Sequence, residues 1–218
     1  MSARKARAGY RLFGSSGSGS AAIEAALLLC AQPFELIDAA SWDRHSALDA
    51  LAKVNPLLQI PTLVLPDGSV LSESAAILIH LGLAHPASKL LPAAPGARDQ
   101  HIRGLVYIAA NCYAAIGIID YPERWCDGAS DAMKQRIRSG TRARLHHCWD
   151  VFADTCVPPA LFYAGDAPGA LDLLAAVVSK WGGARAHLKR TRPALFALVE
   201  RIETHPPLAD LFERHWPA

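Results

Sequence analysis

The stretch that most constrains this chain runs from Asn55 to Ile79, NPLLQIPTLVLPDGSVLSESAAILI. Two short aliphatic runs, Pro61 to Leu65 and Ser69 to Leu71, flank Pro66-Asp67-Gly68. That tripeptide combines a fixed φ, a side chain that bonds its own backbone and a residue free to take positive φ, so the runs turn back on each other as a hairpin. Pro61 opens the first run, where its missing N–H removes no needed ladder donor. Ser72-Glu73-Ser74 then precedes an apolar helical run reaching Ala84, so hydroxyls and the first free N–H groups of a helix face one point. Such a helix start suits a carboxylate. Ordinary N-capping by Ser72 or Ser74 is the competing explanation.

Upstream of this hairpin the chain alternates element types. Tyr10 to Phe13 and Phe34 to Asp38 read as strands, and Ser20 to Ala31 and Ser46 to Lys53 as helices. The first third is therefore β-α-β-α-β-β-α with four short strands. Pro86, Pro92, Pro95 and Gly96 then punctuate a linker. Beyond it only helical periodicity remains, at Arg98 to about Trp125, Asp131 to Cys156, Leu171 to Lys189, Pro193 to Thr204 and a short tail helix. The expected organisation is a small α/β domain over 9–85, a linker over 86–97 and an all-α domain over 98–218.

Composition excludes some function classes. A chain of 218 residues with 19% charged residues and a net charge of +2 offers no electrostatic case for nucleic acid. Lys134, Arg136, Arg138, Arg142 and Arg144 recur along one expected helix together with Asp131 and Asp150, which reads as a solvated face or a subunit contact. Cys30, Cys112, Cys126, Cys148 and Cys156 form no C-x-x-C pair and are odd in number, which favours a reducing, cytoplasmic setting with thiols acting as small apolar groups. His146 and His147 in HHCWD point to different faces of a helix, so no metal is expected. Arg4, Lys5, Arg7 and Arg11 before AAIEAALLLCA imitate a secretion signal, but Glu24 interrupts the apolar run. No apolar run is expected to reach the roughly 18 residues of a membrane span.

The tract GSSGSGSAA, Gly14 to Ala22, admits three readings. A flexible linker or fusion scar would lie between domains or at a tag, whereas this tract interrupts a continuous fold signal. Gly17-Ser18-Gly19-Ser20-Ala21-Ala22 matches the dinucleotide fingerprint G-x-G-x-x-A, with Asp38 in the place of a ribose-binding carboxylate. That reading fails because Gly17 comes four residues after Phe13 and because the third strand turns back through a hairpin. The third reading is a cradle of hydroxyls and helix-start N–H groups for a sulfur anion.

The hairpin with its Glu-Ser helix start, followed by a linker and a helical domain, resembles the glutathione S-transferase superfamily over essentially the whole chain. The resemblance implies a thioredoxin-like N-terminal domain plus an all-α C-terminal domain, glutathione as co-substrate and a homodimer. It implies a cis peptide before Pro61, with the Ile60 N–H and C=O pairing with the cysteinyl backbone of glutathione much as an added strand would. It also implies that Ser74 and its helix start hold the γ-glutamyl carboxylate and that Glu73 meets the α-amino group. One departure stands in the helical domain: Gly169 occupies the position of a capping hydroxyl in GALD while Asp172 is retained, at a cost of a few tenths of a kcal/mol.

In this family the loop after the first strand carries a Tyr, Ser or Cys that activates the thiol. Only Ser15, Ser16, Ser18 and Ser20 are available here. Ser18 is the preferred candidate, then Ser20, with Ser16 fitting a shorter loop, and Ser20 as a mere cap of the first helix is the alternative. A free thiol titrates near about 8.5, and each unit of depression corresponds to about 1.36 kcal/mol in favour of the thiolate. An electrophile pocket is expected between the domains. Tyr107 and Asn111, at i, i+4 spacing on the first long helix, are its candidate lining, against burial between helices as the alternative. DYPERW, Asp120 to Trp125, ends or kinks that helix at Pro122 and resembles a segment of some bacterial subgroups. The expected activity is glutathione transfer to a small electrophile, or a glutathione-dependent reduction or isomerisation. A non-catalytic interaction module on the same fold is the rival, and a dehydrogenase is third.

Overall fold

Alternating apolar patterns in the first third of the chain build a four-stranded sheet in the order β2-β1-β3-β4, where β1 is Tyr10–Gly14, β2 Phe34–Asp38, β3 Thr62–Val64 and β4 Val70–Leu71. The computed structural model describes residues 9–158 and 160–217, so Arg4, Lys5 and Arg7 of the signal-like start lie outside the described residues. Strands β1 and β2 run parallel, Leu12 opposite Leu36, because helix α1 (Ser20–Leu29) carries the chain across between them. Strand β3 lies antiparallel to β1 (Phe13 opposite Thr62), and the hairpin turns the chain so that β4 lies antiparallel to β3 (Leu63 opposite Leu71). Helices α2 (Leu48–Ala52) and α3 (Ser74–Ala84) complete the thioredoxin-like α/β unit. Its core includes the fully buried Leu12, Ile23, Leu27, Leu63, Ile77, Leu78 and Leu81.

Gly14 is required where β1 turns into α1. A Cβ there would overlap the side chain of Ser20 and crowd Leu36 at 3.3 Å. Gly14→Val is expected to lower stability by about 2 kcal/mol, the usual cost of overpacking, in a urea titration followed by circular dichroism. An unchanged midpoint would mean that the turn yields freely.

The remaining elements are helical: α4 (Pro95–Tyr107), α5 (Ala114–Asp120), α6 (Asp131–Thr155), α7 (Ala170–Val178), α8 (Ala184–Thr191), α9 (Pro193–Glu203) and α10 (Ala209–His215). Residues 91–205 form one compact unit, and 9–90 together with 206–217 form the other. The tail helix α10 thus groups with the α/β unit, which departs from the expected all-helical span of 98–218.

Three local departures have physical causes. The expected single helix from Leu171 to Lys189 is two helices, broken at Gly182 and Gly183, which take φ of +64° and +75°. A side chain at Gly182 would also overlap Leu145. The first long helix starts at Pro95, whose ring suits a first helical position. It passes through a π-turn at Ile108–Tyr113 and stops at Asp120 ahead of Pro122. Taken together, Pro95–Asp120 is one helix of 26 residues that is long and apolar enough by length and composition to cross a membrane, contrary to the expectation that no run reaches such a length. Its His101, Leu105, Ile108, Cys112, Ile116 and Ile119 are buried, and it packs against α6 and α7.

At the start of α7 the missing capping hydroxyl is replaced from another helix. The Leu171 N–H donates to His101 Nε2 of α4 at 2.8 Å. Asp172 accepts from the N–H groups of Gly169 at 2.9 Å, Tyr163 at 2.9 Å and Ala164 at 3.3 Å. Gly169 itself has no side chain to return a bond, and His101 instead satisfies the N2 amide, one of the helix-start donors that a capping hydroxyl can serve.

Candidate functional site

Sheet register gathers the three segments singled out in the sequence. Phe13, at the C-terminal end of β1, lies opposite Thr62, the first residue of β3. The loop that leaves β1 at Gly14 and the Ile60-Pro61 segment that enters β3 therefore share one end of the sheet. Leu71, ending β4, lies opposite Leu63, which brings Ser72-Glu73-Ser74 to that same end.

The Ile60–Pro61 peptide is cis. The ladder begins at Thr62, so the Ile60 N–H and C=O lie outside it. A small polar knot holds this entry in place. Asn55 Nδ2 donates to Thr62 Oγ1 at 2.9 Å and to the Gln59 carbonyl at 3.1 Å, while Thr62 Oγ1 donates to the same carbonyl at 2.8 Å. Both Asn55 and Thr62 are buried, and sequence reasoning gave neither a role. The signal available for Asn55 was its place before Pro56, where a side chain that bonds nearby backbone shapes a turn.

Helix α3 begins without a capping side chain: Glu73 stands at its N-cap and makes no side-chain cap bond. Neither Ser72 nor Ser74 provides the ordinary cap that was the competing explanation for this helix start. Glu73 adopts φ +66°, ψ +111°, a conformation costly for any residue with a Cβ, and its side chain is exposed. Ser74 is buried at the first turn. Glu73, the buried Ser74 and the uncapped N–H groups of α3 therefore all belong to the same helix start.

The Gly/Ser loop is arranged differently from the expectation. Ser18 and Ser20, the first two candidates for a thiol contact, are 5% and 0% exposed. Ser18 Oγ donates to the Ser15 carbonyl at 2.7 Å and accepts from the Ser20 N–H at 3.2 Å. Ser20 Oγ lies 3.0 Å from Ser18 Oγ, accepts from the Ser15 N–H at 3.2 Å and sits 3.4 Å from Glu24 Oε1. Both hydroxyls brace the loop from inside, each bonded to the backbone it closes. Ser16 is the exposed serine of the three, and its hydroxyl donates to the Arg214 carbonyl at 3.3 Å.

Beneath this loop runs a buried histidine–carboxylate hydrogen bond that sequence reasoning missed. Glu24 Oε1 is 2.9 Å from His215 Nε2, with both side chains almost wholly buried. A lone acid inside an otherwise apolar helix was the signal: Glu24 counted against a secretion signal, yet a buried carboxylate also calls for a partner.

Tyr107 and Asn111 do share one helix face, but as packing residues. The Tyr107 hydroxyl donates to the Cys148 carbonyl at 2.9 Å, and Asn111 Nδ2 donates to the Tyr107 carbonyl at 3.1 Å. Burial pushes the Tyr107 hydroxyl up to about 12. Each polar group is engaged within the helical unit, and both side chains are partly exposed. His146 of HHCWD bonds the Gly182 carbonyl at 3.0 Å and stacks on His187 at 4.4 Å.

Comparison with known proteins agrees with this geometry. Residues 20–83 match the model of the glutathione S-transferase N-terminal domain. Over 206 residues the chain is 26% identical to the uncharacterized GST-like protein YncG of Escherichia coli (strain K12), covering 94% of this chain and 98% of that protein. A probable glutathione S-transferase of Zea mays, BZ2, is 31% identical over 149 residues, 64% of this chain and 60% of its own length. Among solved structures, a glutathione transferase homologue from Sulfitobacter with bound glutathione superposes with a TM-score of 0.79 at 20% identity, over 93% of this chain and 96% of that one. A glutathione S-transferase from Methylobacterium radiotolerans in complex with glutathione sulfonate reaches 0.72 at 26% identity, over 93% and 94%. The chain is thus similar to glutathione S-transferases through its N-terminal segment and a near full-length relative, and it carries their fold, a thioredoxin-like unit followed by helices.

Proposed function

We propose that the α/β unit binds glutathione and activates its thiol for attack on a small electrophile. The observation that carries the reading is Glu73, held at a strained backbone conformation over an uncapped helix start, at the same end of the sheet as the cis Ile60–Pro61 entry. Strain of this kind persists where the surrounding structure imposes it, and it clusters at ligand sites. In this reading the Ile60 N–H and C=O pair with the cysteinyl backbone of glutathione, Ser74 and the α3 N-terminus take the γ-glutamyl carboxylate, and Glu73 takes the α-amino group.

In this reading thiol activation falls to the N-terminus of α1 and to the exposed Ser16 hydroxyl, which would exchange its 3.3 Å contact with the Arg214 carbonyl for the thiolate, with Ser18 and then Ser20 as the buried alternatives. One hydroxyl donor together with a helix N-terminus supplies on the order of one or two units of thiol pKa depression. The enzyme then contributes thiolate stabilisation and positioning, and the electrophile brings its own reactivity. A homodimer in the cytoplasm belongs to the same proposal.

Calorimetric titration with glutathione tests it. Glu73→Ala is expected to weaken binding by about 10- to 100-fold, the worth of one charge-assisted hydrogen bond, while Ser16→Ala retains binding and lowers turnover. Glu73→Gly relieves the positive φ and is expected to raise the unfolding free energy by about 1 kcal/mol while binding is lost. Absence of heat from the wild-type protein at millimolar glutathione would remove the reading.

The inward lock on Ser18 and Ser20 favours one second reading, a glutathione-binding module without turnover. It predicts wild-type affinity with no conjugation of a chlorodinitrobenzene probe.

A further inference from the structure

We infer that His215, on the tail helix α10, is a positioning residue for the Gly/Ser loop and sets the placement of the groups that face the glutathione thiol. The inference rests on the glutathione reading for its catalytic consequence and on the geometry alone for its structural part.

Three contacts tie the end of the chain to this loop. The Gly17 N–H donates to His215 Nδ1 at 3.1 Å, Ser16 Oγ donates to the Arg214 carbonyl at 3.3 Å, and His215 Nε2 faces Glu24 Oε1 at 2.9 Å. Because Nδ1 accepts from a backbone N–H, the ring proton sits on Nε2 and points at the carboxylate. The imidazole therefore joins two parts of α1's entry, the turn at Gly17 and the buried acid one turn into the helix. Glu24 Oε1 is also 3.4 Å from the Ser20 hydroxyl, which braces Ser15 from inside the loop.

The loop is built to let α10 approach. Gly17 takes φ +68°, and a Cβ there would lie 3.4 Å from the His215 carbonyl and 3.9 Å from Trp216 Nε1. Any side chain at 17 would be strained by its backbone, and its Cβ would stand in van der Waals contact with the tail. His215 is 6% exposed and Glu24 1%, so the pair is a buried polar connection whose loss cannot be made good by water. Nothing in a thioredoxin-like sheet requires this arrangement. Its effect is to fix the peptide carrying Ser16 and the first turn of α1 against the tail helix.

Two substitutions separate the two halves of the imidazole. His215→Gln keeps a donor near the Nε2 position for Glu24 and removes the acceptor for Gly17. His215→Asn keeps an acceptor near the Nδ1 position and removes the donor to Glu24. In the full-length protein, His215→Gln is expected to speed hydrogen exchange of the Gly17 amide by at least about 10-fold, the worth of one hydrogen bond. It is also expected to lower kcat for glutathione conjugation of chlorodinitrobenzene by about 10-fold and to leave the KM for glutathione within about 2-fold, because thiol placement rather than glutathione capture depends on the loop. His215→Asn is expected to retain slow Gly17 exchange and most of kcat while its unfolding midpoint falls. Wild-type exchange at Gly17 in His215→Gln, or kcat losses in both variants that track their unfolding midpoints, would overturn the inference. A wild-type protein that binds no glutathione would remove the functional reading, and the exchange measurement would still decide whether His215 holds the loop.

Discussion

Glu203→Ala is expected to lower the stability of the helical unit by about 3 kcal/mol. Glu203, the last residue of α9, carries the negative charge shared by two cations: its Oε1 is paired with Arg185 of α8 and lies 2.9 Å from Lys180 Nζ, just beyond the end of α7. Each of these side chains is about one-fifth exposed, so solvent screens the pairing only in part. Arg185 also donates through Nε to Ser179 Oγ at 2.7 Å and through Nη2 to the Ala176 carbonyl at 2.7 Å. Burial lowers the Arg185 pKa, and the attraction of Glu203, with a weaker one from Glu200, works against that. Removing the carboxylate leaves the guanidinium buried with neutral acceptors and a more distant Glu200. The full cost of its desolvation then appears. Urea unfolding of the single variant measures that cost, and the double variant Glu203→Leu, Arg185→Met is the control. Replacing Glu203 and Arg185 with apolar groups is expected to recover part of the loss, because the more deeply hydrogen-bonded guanidinium is gone while Lys180 at the edge loses its Glu203 partner. A single variant within about 0.5 kcal/mol of wild type would show that the pair behaves as a surface contact.

What could be read in the sequence divides along chain distance. The hairpin at Pro61 to Leu71, the parallel return through α1 and the helix beginning at Ser74 rest on residues close together, and turn chemistry at Pro66-Asp67-Gly68 decides their geometry. The same holds for the Glu-Ser helix start, which the structure leaves uncapped. Three things depended on partners far away. The break at Gly182-Gly183 was invisible because the flanking stretches keep one helical period, and only the approach of Leu145 shows why no side chain fits at 182. Gly169 looked like a defect in a capping box until His101, 70 residues upstream, took the Leu171 N–H. The direction of the Ser18 and Ser20 hydroxyls was decided by the closure of their own loop over Glu24, and Glu24 by a histidine at the other end of the chain. Composition and spacing name the residue types at a site. Which way a hydroxyl points is a tertiary result.

The start of α7 also couples two titrations of opposite sign. His101 is buried, and burial lowers its imidazole from 6.5 to about 4, the Tyr163 backbone pulling weakly the other way. A group whose folded pKa is depressed holds its stabilising contribution above the unfolded value and loses it as pH falls. For His101 the loss runs from about pH 6.5 down to about 4 and amounts to about 3 kcal/mol. Asp172 is buried too, and burial raises its carboxyl from 3.8 to about 6 despite the three backbone N–H groups that favour the ionised form. Its folded state prefers the neutral acid, so its contribution is present at low pH and is lost as pH rises from about 3.8 through about 6, again by about 3 kcal/mol. Between pH 4 and 6.5 the two nearly cancel, and the wild-type unfolding free energy is expected to change little on their account. His101→Gln breaks the balance, since the glutamine keeps an acceptor for the Leu171 N–H and does not titrate. Relative to wild type, the variant is expected to gain about 3 kcal/mol as pH is lowered from 6.5 to 4, read from urea titrations at each pH. A constant difference across that range would mean that His101 gains its proton in the folded state as readily as in the unfolded chain, and that the cap tolerates the charge.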